Sequence, residues 1–190
     1  MPNFTLHTHD MAPDASKATL GDVTTAWGFT PNMHATLAES PAALVGYETL
    51  WAQVGASSLT PVEQQVAYQA VNVLHGCSYC TMGHTYLSAQ ADMDAETIAR
   101  LRAGQAPLDP RLAALWSFTR HVAEARGEAA EAVPGFLSAG YSRANVLDVV
   151  AVIATKVLAN YTVALTGLPN EAFMSDPALA WNPSMVIAAE

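Results

Sequence analysis

Two helix-forming stretches that meet at Gly76 constrain this chain more than any other feature. The first opens at Thr60-Pro61-Val62-Glu63. Proline suits a first helical turn, and a threonine with a glutamate three residues on forms a capping box. Val62, Val66, Ala70, Val73 and Leu74 then carry an apolar stripe at helical spacing as far as Gly76. Gly76 breaks that pattern, so Cys77-Ser78-Tyr79-Cys80 begins a second helix, which continues to about Gln90. The pattern predicts a helical hairpin with its chemistry at the corner.

Along the second helix Cys77, Cys80 and His84 stand at i, i+3 and i+7, one stripe on one face. Two thiols separated by two residues in a first helical turn can close a small ring, so a CxxC placed there is a reversible redox switch. The unpaired N–H groups and positive dipole end of a helix start favour a thiolate, and can lower a cysteine from ~8.5 by roughly one to five units. His84, one turn beyond Cys80, is placed to take the thiol proton directly or through one water. A CxxC also suits zinc, with His75 or His84 as further ligands, which would make the chain a structural or interaction module. No second CxxC accompanies this one, and a helical CxxC offers a metal a narrow bite. His75 reads rather as a cap of the first helix than as a second base or ligand, and Tyr79 as a pocket wall or a buried spacer. Haem attachment is excluded by Thr81, which stands where CxxCH needs histidine.

The rest of the chain reads as helices without a strand signal, so the predicted fold class is all-α, in one domain of 190 residues. Residues 1–20 mix Pro, Asp, Thr and His without a period and read as an N-terminal arm. His7 and His9 in that arm make a histidine pair, but two ligands alone do not make a metal site. Helical pattern begins at Asp22, loops over Gly28 to Asn32, and resumes with Ser40-Pro41 capping a helix to about Val54. Asp94 and Asp109-Pro110 open two further helices, a short one follows near Glu131 to Ala139, and Ser142 caps the most apolar segment, Val146 to Gly167. Asp148, Lys156 and Asn160 interrupt that segment, which favours a buried central helix over a membrane span. Shifted by 82 positions, Thr60 and Tyr79 fall on Ser142 and Tyr161, a faint internal echo that carries no cysteine. The predicted helical domain covers 21–168, and 169–190, with Pro169, Pro177 and Pro183, read as an irregular strap.

Hydrophobic residues make up 51% and charged residues 13%, a balance that predicts helix surface buried between subunits as well as within one. With 17 acidic against 8 basic residues the net charge is −9, which repels a phosphate backbone and argues against nucleic acid. The start of the chain shows no basic and apolar leader, so cytoplasm is the expected location. In a reducing cytosol two cysteines packed into one CxxC are more often catalytic or metal-binding than a structural staple.

Pro61-Val62-Glu63 followed by Cys77-Ser78-Tyr79-Cys80 and His84 resembles the carboxymuconolactone decarboxylase-like superfamily, in its alkylhydroperoxidase D (AhpD)-like branch. The likeness runs from about Gly28 to Gly167, including Pro31-Asn32, Ser40-Pro41 and Gly140-Tyr141-Ser142. It implies an all-helical homo-oligomer, often a trimer or hexamer, acting as a thiol-dependent hydroperoxidase. Carried over, Cys80 attacks a small hydroperoxide, Cys77 resolves the sulfenic acid as a disulfide, and a dithiol donor such as a lipoyl-bearing protein reduces it. No cofactor or metal enters that reading. The superfamily's name points also to lactone decarboxylation, although members of that kind generally lack the CxxC. This chain departs from the pattern at the relay glutamate, twelve residues before the first cysteine, where it has Gln65. Glu63 is the nearby carboxylate and a catalytic candidate, but two residues round the helix it points about 200° away.

Overall fold

The computed structural model describes residues 4–186, and every regular element among them is helical. The order is α1 (Asp14–Trp27), α2 (Asn32–Leu37), α3 (Pro41–Gly55), α4 (Pro61–Leu74), α5 (Ser78–Gln90), α6 (Ala95–Arg102), α7 (Pro110–Glu124), α8 (Val133–Ser138) and α9 (Arg143–Thr166). Short 3-10 turns precede α8 at Ala130–Ala132 and follow α9 at Ala172–Ser175 and Pro183–Met185. The starts follow local chemistry. Ser40, Asp94 and Asp109 accept backbone N–H groups at their helix caps, and Thr60–Glu63 and Ser142–Asn145 both close capping boxes.

Two helices depart from the sequence expectation. The first begins at Asp14, inside the stretch read as an arm over 1–20, because Ser16, Leu20 and Val23 form a buried stripe there. A polar member hides that stripe: Ser16 is fully buried and its hydroxyl donates to the Ala38 carbonyl at 2.7 Å. The second departure concerns the centre of the molecule. The apolar α9 is expected to be the buried central helix, yet it buries one face and leaves Leu147, Val150, Tyr161 and Leu165 exposed. By length and composition α9 is also long and apolar enough to cross a membrane. It lies instead against α3 and α4.

The helix buried along nearly its whole length is α4, packed between α5, α7 and α9. Its amides Gln65, Gln69 and Asn72 make it look half-polar in sequence, but all three are buried. Gln69 donates to the Thr81 carbonyl at 3.2 Å and to the Thr85 hydroxyl at 3.3 Å, and Asn72 donates to the Cys80 carbonyl at 3.4 Å. These amides tie α4 to α5 where plain apolar packing would leave the pair free to slide. The internal echo holds at the caps of α4 and α9 and then fails: Gly76 finds Leu158 at the matching place, so α9 runs on unbroken where α4 stops.

Candidate active site

The corner between α4 and α5 is built by one glycine and one cysteine. Gly76 takes a left-handed φ of +65°, its N–H donates to the Val73 carbonyl, and the Cys77 N–H reaches back to the Asn72 carbonyl. That pair of bonds is a Schellman closure, for which glycine is the ordinary residue. Cys77 then serves as the N-cap of α5, its sulfur accepting the Cys80 N–H at 3.3 Å. The residue that closes one helix therefore opens the next. Cys77 and Cys80 are joined as a disulfide, with their Cα atoms 5.3 Å apart.

Cys80 lines a cavity of about 70 Å³ and Cys77 does not. Trp27, Phe29, Tyr47, Trp51, Tyr79 and Phe173 make its walls largely aromatic, and His34, His84, Lys156 and Glu171 supply its polar groups. Gly83 leaves room for Met174, whose methyl would lie 3.4 Å from a Cβ placed there, so the segment after α9 closes over α5. Glu171 holds that segment in place, accepting the Asn32 N–H at 2.6 Å and the Tyr79 hydroxyl at 2.5 Å. Burial, and then this carboxylate, push the Tyr79 phenol well up, so it stays a neutral donor.

His84 is buried and bonded on both sides of its ring. Its Nδ1 lies 2.8 Å from Gln65 Oε1, and its Nε2 lies 3.0 Å from Lys156 Nζ. Lysine donates, so Nε2 accepts and the ring proton sits on Nδ1, donated to Gln65. Burial, and then the neighbouring Lys156 charge, hold His84 well below the ordinary imidazole range. Burial alone brings Lys156 down to about 7. Around the pair, His84 packs edge-on to Trp51 with ring centres 5.9 Å apart and tilted on Tyr68 at 4.8 Å, while Lys156 Nζ stands 5.6 Å over the Tyr68 ring. A lysine so placed exists partly as a free amine near neutral pH and can accept a proton.

Of the residues singled out in the sequence, Cys80 and His84 meet in the cavity, with Tyr79 as part of its wall. Glu63 does not join them. Its carboxylate accepts the Thr60 N–H at 2.8 Å and Arg111 Nε at 3.0 Å. Burial raises its carboxyl, but these hydrogen bonds outweigh that and hold it below its ordinary value. It closes a helix and pins α7, and it does not line the cavity. His75 caps α4 and accepts from Asn160 Nδ2 at 3.0 Å, away from the cavity. His7 reaches Glu39 at 2.6 Å while His9 lies beside Asp10, so the two do not converge. Among the described residues no three of His, Cys, Asp and Glu gather as a metal would need. Lys156 and Glu171 are polar groups of the cavity to which the sequence alone assigns no role, while Gln65, read there as the place of a missing glutamate, meets His84. A lone lysine in the most apolar segment is the signal for the first.

Residues 38–121 match the model of the carboxymuconolactone decarboxylase family. The fold of the chain is AhpD-like, and its segment 38–121 is similar to the carboxymuconolactone decarboxylase family. No curated protein matches its sequence. Among solved structures it is similar to the alkylhydroperoxidase AhpD core of an uncharacterised peroxidase-related protein from Ralstonia eutropha JMP134, at 19% identity and a TM-score of 0.80, covering 90% of this chain and 93% of that one. An uncharacterised peroxidase-related protein from Silicibacter sp. TM1040 is similar at 20% identity and TM-score 0.75, over 90% and 93% of the two chains. A variant of the debrominase Bmp8, in complex with 2,3,4-tribromopyrrole, shares the fold at 17% identity and TM-score 0.63, over 89% and 91%. The AhpD-like fold thus hosts more than one chemistry. His34, Lys156 and Glu171 all lie outside the matched segment.

Proposed function

We propose that this protein is a thiol-dependent hydroperoxidase, a dithiol–disulfide oxidoreductase in which Cys80 attacks a small hydroperoxide and Cys77 resolves it. The observation that carries this reading is the Cys77–Cys80 disulfide at a helix start, with Cys80 lining the cavity that also holds His84 and Lys156. In the reduced protein the Cys80 proton passes to the free amine of Lys156, whose position His84 and Gln65 hold. The Cys80 thiolate attacks the outer peroxide oxygen, an S–O bond forms, and the O–O bond breaks to release an alcohol. The Cys77 thiol then displaces water from the sulfenic acid and restores the disulfide. Two electrons and two protons leave the dithiol for each hydroperoxide consumed, and an external dithiol returns them. A lipoyl-bearing protein supplies such a dithiol, in a cytoplasmic homo-oligomer. The aromatic walls favour an apolar organic hydroperoxide over hydrogen peroxide.

Thiol titration before and after one equivalent of cumene hydroperoxide tests this. Wild-type protein should lose both thiols per equivalent, and Cys80→Ser should leave the peroxide unconsumed. Thiols inert to the peroxide would defeat the reading.

A further inference from the structure

His34 belongs to the cavity but to none of the chemistry above. It stands on α2, a different element from those bearing the disulfide and Lys156, and it lines the same space as Cys80. It is 4% exposed. Its Nε2 lies 2.8 Å from the Glu48 carboxylate on α3, and its Nδ1 is buried with no hydrogen-bond partner. A carboxylate only accepts, so Nε2 donates to Glu48 and Nδ1 is the nitrogen left over. Buried imidazole nitrogens are seldom left unpaired without reason. Its ring is fixed edge-on to Tyr47, with centres 5.4 Å apart. An imidazole that lines a cavity, is oriented by a carboxylate and keeps its second nitrogen unclaimed has the arrangement of a general acid–base residue.

We propose that His34 is a second catalytic residue of this cavity, the acid that protonates the leaving alkoxide, and that Glu48 is its positioning residue. The inference rests on the hydroperoxidase reading and adds the step that reading leaves open. When the Cys80 thiolate takes the outer oxygen, the O–O electron pair goes to the inner oxygen as an alkoxide. Protonated His34 gives that oxygen its Nδ1 proton, an alcohol leaves, and the neutral imidazole recovers a proton from water. Lys156 thus handles the proton of the nucleophile, and His34 that of the leaving group. Separate acid and base groups spare the site from recycling one proton across the substrate in the transition state.

The test compares two oxidants of similar size whose leaving groups differ. Cumene hydroperoxide releases an alkoxide that needs a proton, whereas peroxybenzoic acid releases a carboxylate that does not. Pre-reduced protein is mixed with each in single turnover, with the tryptophans at the cavity reporting disulfide closure by fluorescence. His34→Gln should slow the cumene hydroperoxide reaction by about 100-fold and leave the peroxybenzoic acid reaction within a few-fold of wild type. Glu48→Gln, which keeps the imidazole, should show the same selectivity with a smaller loss, and decides the matter alone if the first variant does not fold. Equal losses on both oxidants, or none on either, would overturn the role of His34 while wild type still reacts with both. Wild-type protein inert to both oxidants would bring down the hydroperoxidase reading and this proposal with it.

Discussion

Lys156 is fully buried beside a histidine that is itself kept neutral, and in the proposed mechanism its amine takes the Cys80 proton. The unfolded chain holds that lysine protonated up to about 10.4, while the folded protein releases the proton near 7. Between those values the unfolded state binds more protons, so this group makes stability rise with pH, and its full cost is felt below 7. Lys156→Met should therefore unfold at higher temperature than wild type, by about 1–4 kcal/mol of stability at pH 6, with the difference shrinking towards pH 10. The same variant should slow peroxide attack by roughly 100-fold. Thermal denaturation across pH, with stopped-flow rates, checks both. Gln65→Glu, which sets a carboxylate against the Nδ1 proton of His84, should raise the titration of His84, read by NMR. At this scale Cys77, Cys80 and His84 are legible in sequence because one helix turn sets their spacing. Lys156 and His84 are 72 residues apart and meet only through the packing of α9 on α4 and α5, and His34 meets Glu48 only where α2 folds onto α3. No local pattern encodes such pairs.

Helix starts are the most readable elements, since Ser40, Thr60, Asp94, Asp109 and Ser142 each act on atoms three residues away or nearer. The corner at Gly76 is readable for the same reason. Its left-handed φ predicts that Gly76→Ala destabilises the protein by about 1–2 kcal/mol through backbone strain, because the added methyl would meet Pro183 only at an ordinary 3.4 Å. A denaturant midpoint unchanged from wild type would contradict this. Burial is harder to read than starts. The apolar composition of α9 points to a core helix, and the amides of α4 point away from one, yet α4 is the buried element. Polarity misleads there because the amides of Gln69 and Asn72 are spent on the backbone of α5, a partnership visible only once the two helices lie together.

On the whole molecule, the exposed face of α9 carries Leu147, Val150, Tyr161 and Leu165, with Leu147 69% and Leu165 72% accessible. Steps of three or four residues between such positions, through Ala154 and Val157, trace a straight apolar seam of the kind that pairs helices. The proposed homo-oligomer accounts for it. Sedimentation should show wild type associated at micromolar concentration, and Leu147→Glu with Leu165→Glu should shift it to monomer with helix content unchanged; a wild-type monomer would contradict the expectation. Within one chain the cavity is lined by α1, α2, α3, α5, α9 and the segment around Phe173 and Met174. What decides the account is the fate of one sulfur atom. Reduced Cys77→Ser protein, exposed to one equivalent of cumene hydroperoxide in the presence of dimedone and examined by mass spectrometry, should carry a single adduct, on the peptide containing Cys80. Protein left unmodified, with the peroxide still present, would contradict it.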